Sequence, residues 1–258
     1  MKFTNKKVLI TGASSGIGLA TAHAFAEVGS DLILCARRHD RLLKIKQELE
    51  SEHGISVTVM VADVSDGEAL DRAFSALPPE LKAVDVLVNN AGLALALDPI
   101  DKGSRDDWNR MIDTNVKGLL YMTQLVMREM LKVNKGHIIN IGSMSGYSVY
   151  SGGVVYCATK HAVRALSEGI KMDVHGTPIR VTEIDPGMAE TEFSNVRFKG
   201  DDQRAKDVYH DTTPLTAADI ADAILYCATR PAHVDIRSLL IMPTDQTAAH
   251  MLHREEKE

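Results

Sequence analysis

Tyr156 and Lys160 stand four residues apart in Tyr156-Cys157-Ala158-Thr159-Lys160. On a helix that spacing puts phenol and ammonium on one face. A phenol of ordinary pKa, about 10, is a poor base at neutral pH. A nearby cation favours phenolate, each unit of depression being worth about 1.4 kcal/mol. A tyrosine tuned this way can give a proton to a carbonyl oxygen or take one from an alcohol. Ser143 follows the apolar run 137–141, and its hydroxyl either holds a substrate oxygen or closes a turn. The chemistry these residues suggest is proton transfer at a carbonyl or an alcohol.

A second group of residues suggests a partner for that chemistry. Thr11-Gly12-Ala13-Ser14-Ser15-Gly16-Ile17-Gly18 follows a short β-rich run and opens a helical pattern. Glycines permit a tight turn and let a pyrophosphate approach the free N–H groups of a helix N-terminus. The spacing is Gly-x3-Gly-x-Gly rather than the more common G-x-G-x-x-G. About 20 residues further on, a carboxylate would read the ribose of NAD. Arg37 and Arg38 stand there instead. Guanidinium groups suit a 2′-phosphate through paired hydrogen bonds, so the expected coenzyme is NADP(H). Asp63-Val64 closes the third strand, where the carboxylate either meets the adenine amino group or caps the next helix.

The elements that must position these groups alternate along the chain. Apolar runs rich in Val, Ile and Leu at 8–10, 32–36, 57–62, 84–88, 137–141, 179–184 and 238–242 are separated by helical stretches. The pattern predicts an α/β fold, a single doubly wound parallel sheet of about seven strands with helices on both faces. A long helix over 106–133 and another over 156–174 are expected, with one more over 217–229. No linker or repeat interrupts the alternation, so residues 1–243 read as one domain. Residues 188–214 are polar and follow a strand end, the side of an open sheet where ligands bind, and are expected to be a lid. Residues 244–258 end in a charge run and read as a solvated C-terminal tail.

Composition narrows the classes. The chain has 258 residues, 45% hydrophobic and 25% charged, which suits a globular core and excludes a disordered chain. A formal charge of −6 argues against nucleic acid as a partner. No apolar run is long enough to span a bilayer, and the first residues lack a signal-peptide core. Three cysteines, Cys35, Cys157 and Cys227, show no CxxC spacing and read as reduced thiols of a cytoplasmic protein. Histidines 39, 53, 210, 233, 250 and 253 show no ligand spacing, and no metal is expected.

Thr11–Gly18, Asn89-Asn90-Ala91-Gly92, Asn115, Ser143, Tyr156 with Lys160, and Pro186-Gly187 occur in the order of the short-chain dehydrogenases/reductases, which the chain resembles from residue 6 to about 245. The resemblance implies a Rossmann-type fold and hydride transfer to or from a nicotinamide. It makes Tyr156 the acid/base and Ser143 the group that holds and polarises the substrate oxygen. Lys160 would bind the nicotinamide ribose and lower the tyrosine pKa, while Asn115 would hold a water in the proton relay. Gly12, Ser14, Ser15, Gly16, Ile17, Gly18, Arg37, Arg38, Asp63, Val64, Asn90, Ala91, Gly92, Tyr156, Lys160, Pro186, Gly187 and Thr191 would bind the coenzyme. Assembly as a homotetramer through the two long helices is implied as well, with Leu119, Leu120, Met127, Met130, Val163 and Leu166 either on that face or packed on the sheet.

Four segments, 91–95, 112–115, 136–143 and 191–201, are similar to one branch, the NADP-dependent serine/3-hydroxy acid dehydrogenases and the related sulfoacetaldehyde reductases. That branch implies a short acidic substrate of the L-serine, 3-hydroxypropionate or isethionate type, or the matching aldehyde. The charged C-terminal ending departs from it. Arg197 and Lys199 are the lid cations able to meet a carboxylate or sulfonate, or else they solvate the lid and bridge to Asp201 and Asp202. Arg197 is therefore a candidate substrate contact beside Ser143 and Tyr156. The competing readings are a reductase of neutral carbonyls and a non-catalytic NADP-binding regulator.

Overall fold

A computed structural model describes residues 3–254. Seven strands form one parallel sheet in the order β3-β2-β1-β4-β5-β6-β9. They are β1 (Lys7–Thr11), β2 (Asp31–Ala36), β3 (Val57–Val61), β4 (Val86–Asn89), β5 (His137–Ile141), β6 (Arg180–Pro186) and β9 (Ser238–Ile241). Between β6 and β9 a small ladder pairs β7 (Ala189–Glu190) with β8 (Leu215–Thr216). The central strands read as unbroken apolar runs because both sheet faces are covered; all five residues of β5 are buried.

Helices α1 (Gly16–Glu27), α2 (His39–His53) and α10 (Ala217–Ala228) pack on one face around Phe25, Leu42, Leu49, Ile220 and Ile224. The other face is covered by α3 (Gly67–Ser75), α6 (Leu119–Val133) and α7 (Val154–Asp173) around Leu70, Met122, Val126, Met130 and Val163. A short α4 (Pro79–Lys82) precedes β4, and α5 (Arg105–Ile112) precedes α6. Local signals fix several helix starts: Asp66 accepts from Ala69 N at 2.9 Å to cap α3, and Thr216 with Asp219 forms a capping box on α10.

After β3 the chain crosses back to place β4 on the other side of β1. That reversal opens a crevice beyond the carboxyl ends of β1 and β4, the place where doubly wound sheets bind ligands. Every motif residue discussed below lies at this edge of the sheet.

Two expectations are corrected and two are made specific. The helix expected over 106–133 is interrupted by a π-helical turn, Asp113–Gly118, between α5 and α6. The expected lid carries two short helices, α8 (Phe193–Arg197) and α9 (Asp202–Asp207). The tail is not solvated over its first part. Strands β10 (Gln246–Ala248) and β11 (Met251–Leu252) form a hairpin, and Arg254 donates to Val208 O and His210 O of the lid. The charge run beyond Arg254 lies outside the described residues. Finally, of the two placements open to the long-helix residues, Leu119, Met130 and Val163 take the one in the core, while Leu120, Tyr121, Leu131 and Val133 are exposed on α6. Among the described residues no helix is long and apolar enough to cross a membrane.

Candidate active site

The glycine turn is built for close approach. Gly12 stands at φ 66°, a conformation that strains other residues, and a Cβ there would lie 2.9 Å from Asn90 Nδ2. Asn90 Nδ2 donates to Thr11 O at 2.9 Å, and the backbone N–H groups of Asn90 and Ala91 both reach Thr11 Oγ1 at 3.0 Å. The turn is thereby tied to the end of β4 across the crevice. Helix α1 starts at Gly16 with no side chain capping it, which leaves its first N–H donors free for an anion. Gly18 sits behind the turn, where a Cβ would meet Gly12 O.

The two arginines divide. Arg38 Nε and Nη2 donate to Ser14 Oγ at 3.0 and 2.9 Å, and Nη2 donates to Ser15 Oγ at 2.7 Å. Arg37 is exposed and faces Asp63 Oδ2 at 3.4 Å. Asp63 Oδ1 accepts from the N–H and hydroxyl of Ser65, so this carboxylate closes its own turn while Asp66 caps α3. Hydrogen bonds from Ser65 and the charge of Arg37 outweigh burial and hold Asp63 below the usual carboxylate range.

A cleft of about 610 Å³ joins these residues to Ser143, Tyr156 and Lys160 and continues past Pro186, Gly187 and Thr191. Ile17, Val64, Ala91 and Gly92 line it too. Ser143 lies at the end of β5, its N–H donating to Asp185 Oδ1 at 3.1 Å and its Oγ accepting from Ser145 N at 3.1 Å. Helix α7 presents Tyr156 and Lys160 together, with Lys160 Nζ 5.9 Å from the centre of the Tyr156 ring. Lys160 Nζ donates to Ile141 O at 2.8 Å. Burial pushes the Tyr156 phenol up to about 12 and pulls the Lys160 ammonium down to about 8. The cation that draws the phenol back down is Arg197, helped by a hydrogen bond with Ser143. The Lys160 ammonium is turned to a backbone carbonyl in this arrangement.

Asn115 lies inside the π-helical turn, a distortion that re-aims side chains at functional sites. Its Oδ1 accepts from Leu93 N at 2.8 Å, and its Nδ2 donates to Leu93 O at 2.8 Å and to Thr159 Oγ1 at 3.0 Å. Both amide hydrogens are therefore taken up by protein groups. The side chain braces the loop after β4 against the residue preceding Lys160.

The lid brings Arg197 into the cleft and leaves Lys199 out. Arg197 lies 5.3 Å from the Tyr156 ring centre and 5.0 Å from that of Phe193, and its Nη2 donates to Tyr150 Oη at 3.1 Å. Its Nε is buried without a hydrogen-bond partner. Lys199 Nζ pairs instead with the buried Asp107 at 2.7 Å, rather than with Asp201 or Asp202.

Several site residues escaped sequence reasoning. Glu192 bridges Arg38 at 3.1 Å and Arg41 at 2.9 Å, tying the lid to the arginine corner. Gln246 Oε1 accepts from Met188 N at 2.7 Å. Arg41 was detectable, three residues beyond Arg38 on a charged amphipathic helix. Glu192 and Gln246 had no signal, because only the folded lid and hairpin bring them here.

A glycine cradle, an uncapped helix N-terminus and an arginine forked onto two serines fit a phosphorylated dinucleotide. With a serine, tyrosine and lysine at the mouth, the fold and site define a dinucleotide-dependent oxidoreductase of the doubly wound class. The short chain dehydrogenase family description matches residues 6–202, and the chain belongs to that family. It is 49% identical over 249 residues to an NADP-dependent 3-hydroxy acid dehydrogenase of Salmonella typhi, covering 96% of this chain and 99% of that protein. It is 45% identical over 240 residues to sulfoacetaldehyde reductase 2 of Chromohalobacter salexigens, covering 93% and 94%. The closed form of a serine dehydrogenase complexed with NADP+ superposes with a TM-score of 0.90 at 46% identity, covering 96% of this chain and all of that one.

Proposed function

We propose that the protein is an NADP(H)-dependent oxidoreductase that interconverts a short acidic hydroxy compound with its aldehyde or ketone, of the L-serine, 3-hydroxypropionate or isethionate type. The observation that carries the acidic substrate is Arg197, a guanidinium inside a cleft beside Tyr156 with a buried, unpartnered Nε. A buried donor without a partner is costly, and a carboxylate or sulfonate entering the cleft offsets that cost. A neutral carbonyl brings no acid group to partner that buried donor. The similarity to acid and sulfonate enzymes supports the same reading.

The coenzyme, when bound, supplies or accepts the hydride. The glycine turn and α1 N-terminus hold its pyrophosphate, Arg38 with Ser14 and Ser15 holds the 2′-phosphate, and Lys160 reaches its ribose. Ser143 donates to the substrate oxygen. In reduction Tyr156 gives its proton to that oxygen as negative charge develops, and burial keeps the proton on the phenol until then. In oxidation the same group receives the alcohol proton. Arg197 fixes the acid group at the far end, which orients the reacting carbon. Asn115 positions Thr159 and the loop before it rather than meeting the substrate. We further propose cytoplasmic residence and a homotetramer, the exposed Leu120, Leu131 and Val133 of α6 supporting a subunit contact; light scattering tests the assembly.

The test is a pair of aldehydes of similar size, one acidic and one neutral. Arg197→Ala is expected to lower kcat/KM roughly ten- to a hundredfold for the acidic one, the loss of about 1.5–3 kcal/mol for a charge-assisted contact. The neutral one changes little. Equal losses on both would place the anion site elsewhere.

A further inference from the structure

Behind Ser143, two carboxyl groups share one small space. Glu183 and Asp185 are two residues apart on β6, so they project from the same face of the strand. Both are buried, at 3% and 0% exposure. They fill the room left by Gly142, since a Cβ there would run into both Asp185 Oδ1 and Glu183 Oε1. Two buried carboxylates in contact repel strongly, so such a pair keeps one proton between them.

The donors decide which carboxyl is ionised. Asp185 Oδ1 accepts from Ser143 N at 3.1 Å, and its Oδ2 meets the hydroxyls of Tyr147 at 3.1 Å and Ser238 at 3.2 Å, which lie 2.9 Å from each other, so at least one of the two donates to it, as suits an anion. Glu183 Oε1 is buried, and no hydroxyl or N–H donates to it. A protonated Glu183 supplies its own hydrogen bond to Asp185 and needs no such donor.

We propose that Glu183 and Asp185 form one proton-sharing pair, Glu183 protonated and Asp185 ionised, that positions Ser143 and keeps Lys160 charged. Asp185 grips the backbone of Ser143 directly. The single negative charge faces Lys160 across the strand end, where it offsets the desolvation of that ammonium. The other charged or titratable groups around the pair are Arg164 of α7, whose guanidinium stacks 4.1 Å from the Tyr147 ring centre, and Tyr147 itself. The ionisation order agrees: burial and the neighbouring Asp185 push Glu183 up to about 8. Burial raises Asp185 as well, but Tyr147, Glu183, Ser238 and Ser143 draw it back. Neither residue lines the cleft. Both residues are positioning residues, and the inference rests on the proposed roles of Ser143 and Lys160.

Two measurements test it, one independent of activity. Infrared spectra of the full-length protein at neutral pH are expected to show a buried carboxylic-acid carbonyl stretch that Glu183→Gln abolishes. Absence of the band, or its survival in Glu183→Gln, overturns the shared proton whatever the reaction is. In kinetics, Glu183→Gln still donates to Asp185 and is expected to keep kcat within about threefold. Glu183→Leu cannot donate and is expected to lose roughly tenfold in kcat, the scale of a small misplacement of reacting groups. Asp185→Asn made in the Glu183→Gln background removes the charge facing Lys160 without letting Glu183 ionise in its place, so the alkaline limb set by Lys160 is expected at lower pH than in Glu183→Gln alone. Wild-type kcat in Glu183→Leu, or an unmoved limb in the double variant, overturns the positioning role. If the band behaves as expected but no substrate of the proposed class turns over, the pair stands and the functional reading fails.

Discussion

The guanidinium carbon of Arg197 lies 5.3 Å from the centre of the Tyr156 ring, nearer than the ammonium of Lys160 at 5.9 Å. A lid cation and the buried phenol therefore share one cleft. In such a place a charge acts strongly because little water screens it. Arg197 thus has a proposed role in holding an acid group beside its effect on the tyrosine, and the two can be separated.

A neutral aldehyde isolates the second effect. Burial raises the Tyr156 phenol and Arg197 lowers it, so Arg197→Ala is expected to raise the phenol further. Reduction needs the protonated phenol, and the limb due to Tyr156, which lies above the Lys160 limb near 8, should move to higher pH. Oxidation of the neutral alcohol needs the phenolate and should weaken at any fixed pH below that limb. Full pH profiles of kcat in both directions check this. Limbs that stay in place would assign the tuning of Tyr156 to other groups.

Arg38 and Arg37 are expected to differ as coenzyme readers. Arg38 is already forked onto Ser14 and Ser15, whereas Arg37 is exposed and faces Asp63. Arg38→Ala should lose at least tenfold in affinity for NADP, given about 1.5–3 kcal/mol for each charge-assisted contact to phosphate. Affinity for NAD should change little, and Arg37→Ala should be milder toward NADP. Binding titrations of both coenzymes with both variants decide it. An Arg37→Ala loss equal to that of Arg38→Ala would refute the division of labour.

The fold was legible because the seven strand runs are local and the crossovers obey one handedness. The glycine turn, Ser143, Tyr156 and Lys160 were legible for the same reason, each lying at the end of a strand or on one helix face. What was hidden depends on contacts distant in sequence. Lys199 looked as available as Arg197, and only the fold brings Asp107 to it. The charged ending looked solvated because nothing local shows that Arg254 finds the carbonyls of Val208 and His210. The π-helical turn at Asn115 escaped because its sequence keeps an ordinary helical pattern on both sides.

Gln246 is the link between that C-terminal hairpin and the catalytic edge. Its Oε1 accepts the backbone N–H of Met188, two residues beyond Pro186. Gln246→Ala is expected to loosen the lid, raising KM for an acidic substrate several-fold and exposing the segment around α8 and α9 to proteolysis. A Gln246→Glu variant retains the acceptor and should resist digestion better. Identical digestion of all three proteins would exclude this anchor.

His137 gives the protein an acid-sensitive point in the middle of the sheet. It is buried on β5, 2% exposed. Thr182 Oγ1 donates its one proton to Ile236 O at 2.6 Å, so in the 2.8 Å contact between Thr182 and His137 the histidine Nε2–H is the donor. That leaves Nδ1 as a bare lone pair, buried and unpartnered. Protonating it would bury an unpaired charge beside Arg180 and Lys171. Burial first, then those two cations, hold the imidazole well below its ordinary value of about 6.5. The unfolded chain therefore binds this proton before the folded one does. Stability from the neutral histidine is present above pH 6.5 and is lost as pH falls from there toward the depressed folded value, by up to about 1.4 kcal/mol per pH unit. His137→Gln keeps a donor toward Thr182 but cannot titrate. Denaturant unfolding between pH 7 and pH 5 (roughly the range where a histidine charges) should show a shallower loss in the variant, whatever its stability at pH 7. Parallel curves for the two proteins would mean that His137 is not the group that charges on unfolding.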